Sequence, residues 1–361
     1  MYEGLNHQAL LLNSTPHGKG GAGTTYSLQF CLTTTFLPVL DPQSLRSPLR
    51  TRAIQALNDN MALPPPSTNQ AYWNISALDA GVIYLPVDLP IQGENPSEVH
   101  AHPSLAFLLQ HSTNKHIKAL FDLGIRRDIH SYPTAVQHLL QSTVKVDVPQ
   151  DVTESLRSGG INPNEISYVF LSHLHYDNIG NPAAFPNATF LIGNEGLRLL
   201  ENGFPYNPSS PYSTTALPPD RLIFLTPDDA LSWKELGPFP RANDIFKDGS
   251  MYIVDAPGHL PGHINLLART SSRGTWVYLA GDSTHDSRTL LGNKHSDSGG
   301  NSLCIHADPS KAEEHLSRVR KLLTNVDTRT LVDVVLTHDR DWAVRNRASF
   351  FPRGQLHQQY Q

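Results

Sequence analysis

The middle of the chain reads Ser172-His173-Leu174-His175-Tyr176-Asp177-Asn178, directly after the apolar run Ile166–Leu171. The apolar run is typical of a buried β-strand. In an extended segment, side chains two residues apart project to the same side, so the two histidines and the following aspartate would form one row. Imidazole nitrogens and carboxylate oxygens are the ligands that zinc and similar metals prefer. The stretch therefore predicts most of a metal site, although a polar loop without ligands is the alternative.

Four other stretches place ligand-type residues where a predicted strand runs into a turn. They are Phe121-Asp122-Leu123-Gly124, Asp255-Ala256-Pro257-Gly258-His259-Leu260-Pro261-Gly262-His263, Leu279-Ala280-Gly281-Asp282-Ser283-Thr284-His285-Asp286 and Val334-Val335-Leu336-Thr337-His338-Asp339. Loops held by a rigid sheet are where sites are usually built. Together with the first stretch they indicate one site assembled from several strand ends.

Hydrophobic patterning predicts a layered α/β architecture. Strands are predicted at 73–78, 81–85, 118–124, 166–171, 188–192, 250–255, 263–268, 275–280 and 331–336, and helices at 135–143, 194–202 and 309–324. The sequence contains no internal repeat of the length that is typical of solenoid proteins. Strands with helices between them and ligand-type residues at strand ends are typical of sheets covered by helices.

Residues 1 to about 70 read differently from the rest. They contain a glycine-rich patch around Gly20, a possible short helix at 44–58 and the stiff run Pro64-Pro65-Pro66. We predict an N-terminal extension, residues 1–70, that packs on the core or covers a pocket, and a catalytic domain, residues 71–361. A partly disordered tail is the alternative for the extension.

Composition limits the partners. The chain has 361 residues and a formal net charge of −5, which argues against nucleic acid or an anionic membrane surface as the partner. No apolar run reaches transmembrane length, and the N-terminus lacks the pattern of a signal peptide. With two cysteines, Cys31 and Cys304, a disulfide framework is not expected. We therefore expect a cytoplasmic protein that acts on a small molecule, and the oligomeric state stays open.

The order of the five motifs, over about residues 73–345, resembles the metallo-β-lactamase superfamily. Within it the chain is similar to the quorum-quenching lactonase-like branch and related fungal hydrolases. The resemblance implies an αββα sandwich, in which two mixed β-sheets pack face to face, helices flank both and the site lies at one edge. It also implies a metal-dependent hydrolase that binds one or two Zn²⁺ ions.

The same resemblance implies roles for individual residues. His173, His175 and His259 would hold the first metal, Asp177 and His338 the second, and Asp282 would bridge the two. His263 would support its turn, and Asp122 would orient a neighbouring group. Asp177 would also accept a proton from the attacking water. His285 stands where lactonase relatives carry a tyrosine, so it would donate a hydrogen bond or a proton, or be a solvated turn residue.

Asn178 departs from the family pattern, which has a histidine there that binds the second metal. An amide oxygen is a poorer zinc ligand than imidazole. Three possibilities follow: a weakened two-metal site, an active one-metal site, or a site with unusual or no activity.

The function expected from the sequence is hydrolysis of an ester-type bond, in particular a lactone, by zinc-activated water. The alternatives are a thioesterase or an unusual tailoring enzyme of polyketide or secondary metabolism, and a non-catalytic binding protein that kept the fold. A nuclease is disfavoured because the chain lacks a basic stripe.

Overall fold

Two mixed β-sheets face each other in the computed structural model, which describes residues 62–86, 97–228, 231–290, 305–324 and 331–358. The described strands are β1 (Trp73–Leu78), β2 (Val82–Pro86), β3 (Val99–Pro103), β4 (Ala106–His111), β5 (Lys118–Phe121), β6 (Lys145–Asp147), β7 (Tyr168–Phe170), β8 (Thr189–Gly193), β9 (Leu222–Leu225), β10 (Lys234–Leu236), β11 (Phe239–Asp244), β12 (Met251–Asp255), β13 (Ile264–Arg269), β14 (Thr275–Leu279) and β15 (Leu331–Val335). The described α-helices are α1 (Thr134–Ser142), α2 (Val152–Ser158), α3 (Tyr176–Ile179), α4 (Leu197–Glu201), α5 (Ser287–Leu290), α6 (Pro309–Thr324) and α7 (Arg340–Arg345).

The first six-stranded sheet has the order β1-β4-β5-β7-β8-β9, in which β1, β4 and β5 pair antiparallel and β5, β7, β8 and β9 pair parallel. The second has the order β10-β11-β12-β13-β14-β15 and is antiparallel except for the parallel pair β14–β15. The strands β3, β2 and β6 pair in that order in a small third sheet. The parallel pairs bring the carboxyl ends of neighbouring strands to a common edge.

Apolar side chains fill the space between the two sheets. Trp73, Phe107 and Phe170 of the first sheet and Ile253 and Val277 of the second belong to this central cluster. The other face of the first sheet packs on α1 and α2, and the other face of the second sheet packs on α6. This arrangement confirms the predicted αββα sandwich.

Within the described residues, the predicted strands and helices recur in the structure. Most of their ends lie within one or two residues of the predicted ends. The sequence missed β3, β4, β6, β9, β10 and β11. The strand β11 reads Phe-Pro-Arg-Ala-Asn-Asp, and β3 is largely accessible to solvent, so neither has a clear apolar periodicity. Pairing with a neighbouring strand, which is a tertiary interaction, makes them strands.

The first described residues pack against the second sheet. Arg269, at the end of β13, is 1% exposed and donates to the carbonyl groups of Pro64 (2.7 Å) and Pro65 (3.1 Å). Leu63 packs on the cluster beneath α6. The predicted helix at 44–58 and the glycine-rich patch lie outside the described residues. No helix in the described part of the chain is long and apolar enough to cross a membrane.

Candidate metal centre

The predicted ligand residues stand in loops that follow the carboxyl ends of strands in both sheets. His173 and His175 follow β7, His259 follows β12, Asp282 and His285 follow β14, and His338 follows β15. The strand β7 belongs to the first sheet, whereas β12, β14 and β15 belong to the second. The backbone N–H of Ile264 donates to the carbonyl of Ser172 at 2.8 Å and ties the two sheets together beside these loops. The site therefore lies at the edge where the two sheets meet.

Three imidazoles and one carboxylate converge into a first group: His173, His175, His259 and Asp282. The Nδ1 atom of His175 lies 2.8 Å from Nε2 of His173 and 3.0 Å from Nε2 of His259. The Oδ2 atom of Asp282 lies 3.7 Å and 3.6 Å from the Nε2 atoms of His173 and His259. All four ligand atoms are within 4.8 Å of one another, so one ion could contact all of them.

A second group shares Asp282 with the first and adds His285 and His338. The Oδ2 atom of Asp282 lies 3.2 Å from Nε2 of His285 and 3.4 Å from Nε2 of His338. Asp177 adjoins this group, because its Oδ2 atom is 3.5 Å from Nε2 of His338. The resemblance to the family predicted Asp282, His338 and Asp177 as ligands of the second metal. It did not predict His285 as a ligand.

Buried hydrogen bonds hold the ring of His173 in one tautomer. The hydroxyl of Ser172 lies 2.7 Å from Oδ2 of Asp122 and 2.9 Å from Nδ1 of His173. A hydroxyl that donates to the carboxylate must accept from Nδ1–H, so Nε2 of His173 keeps its lone pair for the site. This agrees with the predicted orienting role of Asp122, which also accepts from the backbone N–H of Ser172.

Similar contacts orient two further rings. The Nδ1 atom of His338 is 2.8 Å from the carbonyl of Pro103, so it must donate, and Nε2 faces the carboxylates. The Nδ1 atom of His259 lies 3.3 Å from Nδ1 of His306. His306 is thus a neighbour that supports His259.

Burial controls the charge of the first group. It holds the pKa values of His173 and His259 well below their ordinary value, and it also lowers the pKa of His175. These rings are therefore neutral at pH 7. Neutral imidazoles that aim lone pairs at one point are the form in which histidine binds a metal.

The carboxylates of the second group need a positive neighbour. Burial raises the pKa of Asp177, and the like charge of Asp282 adds to this. Burial opposes ionisation of Asp282 as well, but His338 and His285 outweigh it and hold its pKa well below the usual range. Burial lowers the pKa of His338, yet Asp282 outweighs this and raises it to about 9. The site thus favours a cation between these carboxylates.

The donor set fits a divalent metal such as zinc. Histidine nitrogens and aspartate oxygens are the ordinary ligands of that ion. Asp282 is only 2% exposed, and its buried Oδ1 atom has no hydrogen-bond partner among the described residues. A buried carboxylate oxygen without a donor is costly unless a cation contacts it.

His263 serves the backbone rather than the ligand groups. Its Nδ1 atom is 3.0 Å from the carbonyl of Ala256, and its Nε2 atom accepts from the backbone N–H of Asp282 at 3.2 Å. Both ring nitrogens are therefore occupied by the turn and by the loop of Asp282. This agrees with the supporting role predicted for His263.

The expectation of one extended row through Asp177 is wrong. The strand β7 ends at Phe170, and the chain turns into α3 with His175 at its N-cap. Asp177 consequently approaches His338 from the first turn of a helix. Tyr176 packs against Tyr132, with ring centroids 5.9 Å apart, and it also lines the cavity described below.

Asn178 is fully buried and hydrogen-bonded to Asp122. Its Nδ2 atom donates to Oδ2 of that carboxylate at 3.2 Å. Its Oδ1 atom has no hydrogen-bond partner among the described residues. The amide is thus part of the buried network behind His173.

An apolar cavity of about 370 Å³ opens over the two groups. Its polar lining is His175, Asp177, His259, Asp282, His285 and His338, and its other walls are Ile83, Leu85, Ala135, Val136, Leu139, Tyr176, Pro211, Tyr212 and Ile305. The segments 202–208 and 233–239 are rich in aromatics and prolines, a composition that predicts loops in the wall of a pocket. The structure places the nearby Pro211 and Tyr212 there, whereas Trp233 and Phe239 are buried in the core clusters. The signal for this wall in the sequence is the pair Pro211-Tyr212, which follows the segment 202–208 after a few residues.

No profile of a known protein family matches the chain. The cytochrome P450 monooxygenase mpaDE' of Penicillium brevicompactum is 30% identical over 269 residues, which cover 69% of this chain and 31% of that protein. This chain thus spans less than a third of that relative. The γ-lactamase MBL2 of Gibberella moniliformis is 34% identical over 169 residues, which cover 46% of this chain and 70% of that protein.

A solved structure of an N-acyl homoserine lactone hydrolase, with the product N-hexanoyl-L-homoserine at its catalytic metal centre, superposes with a TM-score of 0.59. The match covers 78% of this chain and 98% of that chain at 16% sequence identity, so it concerns the fold. The shared fold, the similarity to the γ-lactamase and the order of the strand-end motifs agree with one another. The chain belongs to the metallo-β-lactamase superfamily.

Proposed function

We propose that this protein is a zinc-dependent hydrolase that opens a cyclic ester, a lactone. The observation that carries the proposal is the convergence of ring nitrogens of His173, His175 and His259 with Asp282 beneath an apolar cavity. Neutral rings aimed at one point are suited to a metal, and a cavity above them is suited to a small organic substrate.

In this proposal His173, His175 and His259 would hold one ion, Asp177 and His338 would hold a second, and Asp282 would contribute to both groups. A divalent ion bound there would supply a nucleophilic water at neutral pH and polarise the substrate carbonyl. Asp177 lines the cavity and is buried, so it can orient the water and accept its proton. Ser172 and Pro103 hold the rings of His173 and His338 in position.

The cavity walls favour a substrate with an apolar substituent. The side chains of Ile83, Leu85, Val136 and Leu139 would contact such a group while the ring carbonyl faces the histidines. The name of the solved neighbour supports a lactone. The name of the γ-lactamase relative favours a cyclic amide as the second candidate.

The test combines metal analysis with a substrate panel. We expect the purified protein to bind zinc and to open γ-lactones that carry acyl or alkyl substituents, and we expect chelation to abolish this turnover. The panel includes matched γ-lactams and thioesters. Preferential turnover of a lactam or thioester would replace the lactone assignment with that class, and zinc binding without turnover of any member would contradict a hydrolase.

Two variants test the assigned residues. His175→Ala should lose most of the bound metal, because one of three converging imidazoles is removed. Asp282→Ala should abolish turnover, because the shared carboxylate contacts both groups. Full metal content in the first variant, or wild-type turnover in the second, would refute the corresponding assignment.

A further inference from the structure

We propose that His285 is the imidazole ligand of the second metal and takes the place that Asn178 cannot fill. The inference rests on the proposed function only in that the site binds metal. It concerns a residue of a different loop from the one that carries the missing histidine.

The geometry of the second group supports this assignment. The Nε2 atoms of His285 and His338 lie 3.2 Å and 3.4 Å from the same oxygen, Oδ2 of Asp282. The two rings are nearly parallel, with an interplanar angle of 8° and centroids 5.4 Å apart. His285 and His338 thus present equivalent nitrogens to one point, as two ligands of one ion do.

Asn178 is engaged elsewhere. Its amide nitrogen donates to Asp122, whose carboxylate is fully buried behind Ser172. An amide also offers a neutral oxygen, which zinc accepts less readily than imidazole. The residue that replaces the family's histidine is therefore used to hold the network behind the first group.

The loop that carries His285 is held firmly. Thr284 is 1% exposed and bonded through its hydroxyl to Thr289, which lies on α5. The hydroxyl of Thr289 also donates to the carbonyl of Asp286. His285 thus lies between two fixed points, Asp282 and the start of α5, which hold its backbone beside the group.

The resulting ligand set is complete for zinc. Asp282, His285 and His338 form the group, and Asp177 adjoins it through its contact with His338. These side chains offer the four-ligand environment that zinc favours. The second site is then an ordinary site built from a different position in the chain, rather than a weakened one.

The experiment counts metal and measures its affinity, and it does not depend on turnover. The full chain is stripped with a chelator and titrated with Zn²⁺ against a chromophoric competitor, and bound zinc is counted by elemental analysis. We expect two ions per chain in the wild type. His285→Ala should keep the tight ion and bind the second at least about tenfold more weakly, since loss of a metal contact costs that much or more.

Three further variants complete the design. Asn178→Ala should keep both ions, because its amide is not a ligand. The double variant Asn178→His with His285→Ala should recover the second ion, because it restores one imidazole to the group. His100→Ala, which changes a histidine on β3 outside both groups, is the control for a general effect of removing a ring. Circular dichroism and thermal unfolding establish that each variant is folded.

Four results would overturn the inference. These are a single ion in the wild type, an unchanged second affinity in His285→Ala, loss of the second ion in Asn178→Ala, and no recovery in the folded double variant. The second of them, with turnover lost, would assign His285 the proton-donor role suggested by its position in the sequence. A wild-type chain that binds no zinc would instead contradict the proposed function itself.

Discussion

At the scale of single residues, the site depends on side chains that do not face the cavity. Asp122, Ser172 and His173 form a buried chain of hydrogen bonds, and the carboxylate of Asp122 is fully shielded from solvent. Burial raises the pKa of Asp122 to about 7, and the hydrogen bonds from Ser172 only partly oppose this. The serine hydroxyl is therefore the link that orients the first ligand ring.

Ser172→Ala should weaken zinc binding at the first group by about 10- to 100-fold, the usual cost of losing such a supporting contact. The ring of His173 loses the acceptor that fixes its tautomer. The measurement is a competition titration with a chromophoric chelator. Ser167→Ala, whose hydroxyl bonds to the carbonyl of His116 near the protein surface, is the matched control. Equal affinities in the two variants would show that the hydroxyl has no orienting role.

At the scale of elements, the turn after β14 requires glycine. Gly281 has φ +49°, and a Cβ atom there would lie 2.8 Å from Nε2 of His263 and 2.9 Å from Cβ of Ser172. Gly281→Ala should lower the free energy of unfolding by about 1–3 kcal/mol and weaken zinc binding, because the next residue is Asp282. Denaturant unfolding and the zinc titration measure the two effects.

The control for this substitution is Gly160→Ala. Gly160 also has positive φ, +80°, but a Cβ atom there meets nothing within 4 Å. Gly160→Ala should lower the free energy of unfolding by about 1 kcal/mol through backbone strain, and it should leave the zinc affinity unchanged. If Gly281→Ala behaves like Gly160→Ala, the close approach to His263 does not position Asp282.

The helix α1 forms one wall of the cavity through Ala135, Val136 and Leu139. If the proposed function holds, Leu139→Ala should reduce kcat/KM for lactones with long apolar substituents by about 3- to 10-fold, as expected from roughly 0.8 kcal/mol per buried methylene. Lactones with short substituents should be affected little. Leu140→Ala, the next residue on the same helix, does not line the cavity and serves as the control. A uniform loss over all chain lengths would place the substituent elsewhere.

At the scale of the whole molecule, Arg269 joins segments that are far apart in sequence. Its guanidinium donates to the carbonyls of Pro64, Pro65 and Gly249 and lies 4.0 Å from the ring centroid of Trp276. Arg269→Ala should lower the free energy of unfolding by about 2–4 kcal/mol, because three hydrogen bonds and the contact with the ring of Trp276 are lost. The number of zinc ions per chain should not change, since the residue lies outside both ligand groups.

The comparison for Arg269 is Arg273→Ala, in the exposed turn before β14, which should change stability by less than about 0.5 kcal/mol. Denaturant unfolding of both variants supplies the measurement. Equal stabilities would mean that the proline segment is held without this guanidinium.

The sequence by itself determined the family, the main strands and the residues that stand at their ends. These features are local, because a buried strand shows in a short apolar run and a ligand-type residue in the turn that follows it. His173, His175, His259, Asp282 and His338 all stand in such turns, and the resemblance to the family distinguishes them from the other ligand-type residues there. The predicted extended row failed at Asp177 because the chain turns into α3 directly after His175, and the preceding strand pattern carries no signal for that turn.

Only the tertiary structure decided which side chains meet. The approach of His285 to His338, the engagement of Asn178 by Asp122 and the cavity wall from β2, α1 and Tyr212 all join residues from separate elements. Such contacts depend on how two sheets and their loops pack, and the spacing of residues along the chain does not encode that distance. The substitution at Asn178 is visible in the chain itself, but the convergence of His285 and His338 on Asp282 becomes visible only when the loops after β14 and β15 lie side by side.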